Sequence, residues 1–264
     1  MHSESYRQRF EGLGRVFGDA ALDVLAAAHF CVVGVGGVGS WAAEACARTG
    51  IGRITLIDHD DIQASNSNRQ LHTLTETIGR SKVEVLRERI LAINPECDCR
   101  AIDDLVTRGS LEKFDFSQFD YVIEAIDHVS HKLSLMHYCR RHKIRCISTG
   151  GAGGRSDPTQ IQVKDLTLSY NDPLLAKVRS HLRQQLGYSR NPKRRYGMDC
   201  VFSGEQPIYP VGDGSVSHAK PESAERSTLD CDTGIGSFVG VTASFGFTAA
   251  AHAIRKHLKA KQTP

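Results

Sequence analysis

The chain reads as an α/β protein built on a doubly wound, mostly parallel sheet, and three observations carry that reading. Short apolar, β-branched runs recur at residues 30–35, 53–58, 121–126 and 144–148. Segments with helical spacing of apolar residues lie between them, at 82–93 and around 130–142. A glycine-rich turn at 34–39 joins the first run to a helix lasting to about Gly50. With 264 residues the chain is long for one domain and short for two full ones. Apolar residues make up 40% and charged residues 24%, ordinary globular usage that excludes a disordered or fibrous chain.

Each element follows from local pattern. Residues 53–58 (RITLID) form a buried strand that ends in an acid. In 82–93, Val83, Leu86, Ile90 and Ile93 share one helix face, and Asn94-Pro95 ends it. Beyond residue 150 the regularity fades: Gly150 to Gly154 with Asp157-Pro158 is a loop, and 161–168 alternates like a strand that need not be parallel. Residues 203–232 read as a long loop carrying Pro207, Pro210 and Pro221. The division expected is a core over 1–155 with an N-terminal arm, and a portion over 156–264 packed on the same sheet. Residues 233–260 form a final apolar helix, whose stretch 233–254 lacks Asp, Glu, Lys and Arg. Its length would cross a bilayer, but nine of those 22 residues are Gly or Ala and His252 interrupts, which favours a buried or interface helix. Gly236 and Gly240, four apart, permit close helix contact. No charged-then-apolar leader opens the chain, and eight cysteines are too sparse for a disulfide scaffold. A cytoplasmic protein with reduced thiols is the expectation.

The chemistry concentrates after the first strand. Gly34, Gly36, Gly37 and Gly39, followed by Ser40 at a helix start, let backbone N–H groups approach phosphate oxygens. Asp58, 19 residues after Gly39, stands where an acid accepts hydrogen bonds from a ribose. These features mark a nucleotide site without choosing between a dinucleotide and ATP. Past Asp60, the residues Asn66, Arg69 and Lys82 make the choice: cations and an amide just past the ribose acid suit the departure of pyrophosphate and have no role in hydride transfer. Arg69 grips two phosphate oxygens with its fork and Lys82 acts as a point charge. Asp127, at the carboxyl edge of the 121–126 strand, suits Mg²⁺.

The segments GVGGVGS, LIDHDDIQASNSNRQ, GRSK and EAID are similar to the ubiquitin-activating-enzyme-like superfamily, with its ThiF and MoeB members, densely over about residues 7–155. The resemblance implies a Rossmann-like adenylating domain that activates a carboxylate with Mg-ATP. It also implies Asp58 on ribose, Asn66, Arg69 and Lys82 on phosphates, and Asp127 on Mg²⁺. A homodimer is implied, each subunit lending an N-terminal arginine to the other; here Arg15 is the choice and Arg9 the alternative, because the spacing departs from the family's pattern.

Other departures narrow the substrate. The paired CxxC motifs that bind zinc in such proteins are missing, and Cys97-Asp98-Cys99 is too closely spaced to chelate, so no zinc is expected. Cys31, Cys46, Cys139 and Cys146 sit in apolar patterns; Cys200 and Cys231 are candidate thioester nucleophiles without a neighbour to activate them. Between 177 and 198 stand seven cations and no acid: Lys177, Arg179, Arg183, Arg190, Lys193, Arg194 and Arg195. With Tyr188 and Tyr196 interleaved to stack on bases, they suit a nucleic-acid backbone; the alternative is a solvated helix and basic loop. Together with the tail GSFVGVTASFGFTAAAHAI, these features resemble the tRNA threonylcarbamoyladenosine dehydratase family. That resemblance implies adenylation of the threonine carboxylate on the modified adenosine of tRNA, then ring closure by its own carbamoyl group with AMP leaving. It also associates the chain with a cysteine desulfurase and its sulfur acceptor, and leaves a monovalent cation open. Two other readings stand beside it: adenylation of the C-terminus of a small ubiquitin-like carrier, and an ATP-binding adaptor without turnover.

Overall fold

The computed structural model describes residues 3–191, 193–219 and 235–262. Two helices, α1 (Glu4–Phe17) and α2 (Ala20–Ala27), precede strand β1 (His29–Val33). Helix α3 (Gly39–Arg48), β2 (Arg53–Asp58), α4 (Lys82–Ile93), β3 (Asp98–Asp103), β4 (Tyr121–Glu124), α5 (Val129–Arg141) and β5 (Cys146–Thr149) follow. Then come β6 (Ile161–Asp165), α6 (Pro173–Gln185), β7 (Asp199–Ser203), a small hairpin of β8 (Tyr209–Pro210) and β9 (Val216–Ser217), and α7 (Val239–Gln262).

Seven strands make one sheet in the order β3-β2-β1-β4-β5-β7-β6. All neighbours are parallel except β6, which runs antiparallel to β7. All five residues of β1 are buried, as expected of a central parallel strand covered on both faces. One face is covered by α2, α3, α4 and α7, with Leu25, Ala42, Leu86 and Phe245 in the shared core. The other is covered by α5 and α6 through Leu135, Cys139, Leu175 and Leu182. The chain steps from β1 outward to β2 and β3, then returns to β4 on β1's other side, so the sheet's switch point lies between β1 and β4. Loops leaving adjacent strand ends in opposite directions open a crevice there.

Several expected bounds move. The first strand stops at Val33 and β4 at Glu124, because the chain turns into loops at Gly34 and Ala125 whose backbones touch: a Cβ on Gly34 (φ +80°) would lie 2.9 Å from the Ala125 carbonyl oxygen. The final helix starts at Val239 rather than 233, and residues 233–234 lie outside the described ones. Gly236 and Gly240 do not make its close contact. Gly246 does, since a Cβ there would meet the Val38 carbonyl oxygen at 2.4 Å, so α7 lies directly on the start of α3. Among the described residues no helix is long and apolar enough to cross a membrane. Part of the expected 203–232 loop is the β8–β9 hairpin; Pro221, Cys231 and the rest of 220–232 lie outside the described residues.

Candidate active site

A cleft of about 850 Å³ occupies the switch point, lined by the segments that leave the carboxyl ends of β1 to β5. The glycine loop after β1 supplies Gly34, Gly36 and Gly37; the segment after β2 supplies Asp58, Asp60, Asn66 and Arg69; Lys82 opens α4; and Asp127 follows β4. Gly39 and Ser40 are not among the lining residues. Gly39 is needed instead for packing, because a Cβ would fall 1.8 Å from the Gly34 carbonyl oxygen. Ser40 is buried beneath the loop and accepts the Leu71 N–H at 3.4 Å.

Asp58 holds the entrance together. Its Oδ2 accepts the Val35 N–H at 2.7 Å and its Oδ1 the Asp60 N–H at 3.0 Å. Burial lifts its carboxyl above the usual carboxylate range, against the pull of Lys82 and both amides. Each oxygen keeps a lone pair for another donor. Lys82, only 5% exposed, points Nζ at Asp60 Oδ2 across 2.6 Å, while Asp60 stays half exposed. Arg69 lies over Gly37, and its Nη1 donates to the Ser65 carbonyl at 2.8 Å and to Asn68 Oδ1 at 2.9 Å. Trp41 Nε1 donates to the Arg69 carbonyl at 3.0 Å, tying this segment to α3. Asn66 is buried and caps its own turn by accepting the Gln63 N–H at 3.0 Å. Under the loop, His72 Nε2 bonds the Val35 carbonyl at 2.9 Å, and burial pushes its pKa down to about 4. Gln70 turns its Nε2 toward Gly36, and its buried Oε1 finds no hydrogen-bond partner among the described residues.

Arg15 lies exposed on α1 and does not line the cleft of its own chain, nor does Arg9, whose Nη1 reaches the Ile93 carbonyl at 3.4 Å. The basic segment divides. Arg179 is tied to Ser169 Oγ at 2.6 Å and to the Leu166 carbonyl at 3.0 Å, and Arg183 Nε donates to the Tyr196 hydroxyl at 2.9 Å. Lys177 is half-buried on α6, whereas Arg190, Lys193, Arg194 and Arg195 are exposed. The stacking role expected of the tyrosines is corrected: Tyr196 is 4% exposed, and its hydroxyl is engaged with the Ser189 carbonyl at 2.6 Å. Tyr188 packs edge-on against it, 4.9 Å between ring centres. Cys200 is no accessible nucleophile either, being fully buried on β7 with its thiol pushed well up by that burial. Cys97 and Cys99 flank and enter β3 as buried packing residues.

One wall of the cleft is built from residues that no nucleotide motif marks. After β5, Gly150, Gly151, Ala152, Gly153 and Arg155 face the glycine loop across the opening. A Cβ on Gly150 would meet Asp172 Oδ2 at 1.9 Å, so that position requires glycine. Asp172 accepts the Gly151 N–H at 3.0 Å and caps α6 through the Leu175 N–H at 2.9 Å. Arg155, 4% exposed, ties the wall to two distant segments through the Glu205 and Asn171 carbonyls. The GGAGG run directly after a strand was the available signal. His59, His128 and His131 also line the opening; the His128 and His131 rings lie 4.3 Å apart. Among the described residues, Asp58, His59 and Asp60 form the group of His, Cys, Asp and Glu close enough to share an ion.

The arrangement can hold a phosphorylated nucleotide beside a carboxylate and neutralise charge as a phosphate leaves. Comparison with known proteins agrees in kind. The ThiF family model matches residues 11–264. The tRNA threonylcarbamoyladenosine dehydratase of Escherichia coli (strain K12) is 51% identical over 254 residues, covering 96% of this chain and 95% of that one. Its Bacillus subtilis (strain 168) namesake is 42% identical over 191 residues, 72% of each chain. The E. coli dehydratase TcdA solved in complex with ATP superposes with a TM-score of 0.88 at 47% identity over 100% of both chains. This chain belongs to the ThiF family.

Proposed function

We propose that the protein is an ATP-dependent tRNA threonylcarbamoyladenosine dehydratase working in the cytoplasm as a homodimer. The observation that carries the proposal is the convergence of the Gly36 and Gly37 backbone, Arg69, Lys82 and Asp127 on one cleft. A nucleoside triphosphate fits it. Gly36 leaves open space beyond Gln70 Nε2, 3.6 Å from where a Cβ would stand, so phosphate oxygens can approach the backbone there. The relatives' names and the ATP complex of the E. coli enzyme point the same way.

In this reading the threonine carboxylate attacks the α-phosphorus of ATP and pyrophosphate leaves. The carbamoyl group of the same nucleoside then attacks the activated carbonyl carbon, and AMP departs with the oxygen. Arg69 turns its fork from Ser65 and Asn68 to the phosphates, and Lys82 turns from Asp60 to the same charge. Asp58 accepts from the ribose hydroxyls through the lone pairs its amides leave unused. Asn66, Asp60 and the backbone from Gly34 to Gly39 shape the phosphate end. A Mg²⁺ ion on Asp127 would offset phosphate charge; the exposed carboxylate suits a hard cation that keeps its waters. Arg15 of each subunit serves the other's cleft, residues 1–155 carry the nucleotide, and 156–264 carry substrate contacts, with Arg190, Lys193, Arg194 and Arg195 as the exposed RNA-facing cations. The ring-closing nucleophile is part of the substrate, so its effective concentration is high and no enzyme nucleophile is required. The buried state of Cys200 is consistent with that.

The test is incubation with tRNA bearing threonylcarbamoyladenosine and Mg-ATP, followed by mass analysis of the nucleoside. Loss of one water, dependent on ATP, is the expected result. An unchanged nucleoside, with pyrophosphate exchange stimulated by a ubiquitin-like carrier instead, would replace the substrate.

A further inference from the structure

A second concavity, about 600 Å³, lies at the opposite edge of the sheet, and the nucleotide chemistry makes no use of it. Tyr121, Cys146 and Asp199, the first residues of the parallel strands β4, β5 and β7, form its base. Its rim is cationic. Arg140 stands in the last turn of α5, Lys143 and Arg145 lead into β5, and Lys256 and Lys259 come from the last turns of α7. Asp199 is the one acid lining it among the described residues, and it is already engaged by His252 at 3.0 Å and Lys256 at 3.6 Å.

The rim is built rather than incidental. Arg140 Nε is fixed on the Tyr196 carbonyl at 2.7 Å, and its guanidinium lies against Gly197, whose φ of +68° and missing side chain leave room for it. Lys143 holds a left-handed backbone (φ +58°), a conformation that a non-glycine residue adopts at some cost. Lys143 and Arg145 are exposed, and neither makes an ion pair with an acid among the described residues. Through Tyr196 the rim adjoins the exposed Arg194 and Arg195, so the cations continue from the concavity onto the basic loop.

We propose that this amino-edge basin, with Arg140, Lys143, Arg145 and Lys256 at its rim, is a docking site for the phosphodiester backbone of the RNA substrate, remote from the reacting nucleotide. The inference rests on the reading that the substrate is a tRNA. Cations continuous over two surfaces attract a polyanion by releasing its counterions. The strands between the two edges are four to six residues long, about 3.3 Å per residue. An RNA stem spans that distance easily.

The test is the triple variant Lys143→Asn, Arg145→Gln and Lys256→Gln, with asparagine chosen because it tolerates the left-handed backbone. KM for modified tRNA is expected to rise about 10- to 100-fold at moderate salt, and the slope of log KM against log salt to flatten by about 1 for each phosphate no longer neutralised. The maximal rate and KM for ATP are expected to stay as in the wild type. If the wild type turns over tRNA and the folded variant keeps both KM and salt slope, the basin does not bind RNA. If the tRNA parameters stay put while AMP or inorganic phosphate saturably perturbs Lys143, a small phosphate occupies it and the RNA assignment is overturned. A wild type that ignores tRNA altogether would instead defeat the functional reading.

Discussion

Two lysine–carboxylate pairs stand on either side of the switch point, and they are built for opposite ends. On the β4 side, Lys132 Nζ contacts both oxygens of Glu124, at 2.8 and 2.6 Å, and Ser148 Oγ at 3.2 Å; Glu124 and Lys132 are both 0% exposed. Glu124 Oε1 also accepts the Ile126 N–H at 2.7 Å, so the pair shapes the loop that presents Asp127. On the β2 side, Lys82 hydrogen-bonds one carboxylate, Asp60, whose side chain is 50% exposed. A lysine ringed by buried partners cannot be redirected without leaving a charge unpaired. One whose partner is half in water can trade it for a phosphate. The sheet thus carries a structural ion pair at the end of β4 and an exchangeable one beyond the end of β2, with β1 between them.

Removing one member of each pair should separate them. Lys132→Met leaves Glu124 buried and alone, and is expected to cost about 3–5 kcal/mol of unfolding free energy in denaturant titration. Should that variant fail to fold, the double variant Glu124→Leu with Lys132→Met should regain most of the loss. A Lys132→Met protein as stable as the wild type would erase the distinction. Lys82→Ala is expected to lower turnover about 10²–10³-fold, about 3–4 kcal/mol in the barrier, while stability moves by less than about 1 kcal/mol. Asp127→Ala should likewise abolish ATP-dependent ring closure with the fold intact; retained activity at saturating Mg-ATP would rule out its role.

Acid should act first on the buried imidazole of His72 beneath the glycine loop. Folded His72 takes a proton only near pH 4, whereas the unfolded chain does so near pH 6.5, so the unfolded state binds more protons in between. Its contribution is therefore complete above pH 6.5 and is lost as pH falls toward 4, by about 3 kcal/mol. Denaturation midpoints measured across that window should fall less steeply for His72→Gln. The smallest effect belongs to Asp60→Asn, which should change stability by less than about 1 kcal/mol because its carboxylate is half solvated. A loss comparable to that of Lys132→Met would make the two pairs alike.

What could be read along the chain was what a few consecutive residues encode. The helix Lys82–Ile93 and the strand Arg53–Asp58 were legible to the residue, because apolar spacing and the Asn94-Pro95 stop lie within reach of one another. Strand β3 was not: in DCRAID three charged residues interrupt one buried cysteine and two half-buried positions, and no apolar run forms. Helix α1 buries only Tyr6, Phe10 and Gly14, too thin a stripe to stand out from a polar opening. Strand β7 is five residues long and takes its meaning from its neighbours β5 and β6. The wall made by Gly150 to Arg155 depends on Asp172, Asn171 and the Glu205 carbonyl, which no local pattern links.

The order of residues alone was enough to specify the glycine turn, the acid closing the second strand and the cations after it, since backbone approach to a phosphate is a property of a short contiguous stretch. It could not say which charges are free. Arg179 and Arg183 were drawn into hydrogen bonds with the fold, Lys132 into a buried pair, and Lys143 and Arg145 left open on a second basin, because a charge is spent or available according to partners brought from distant segments by packing.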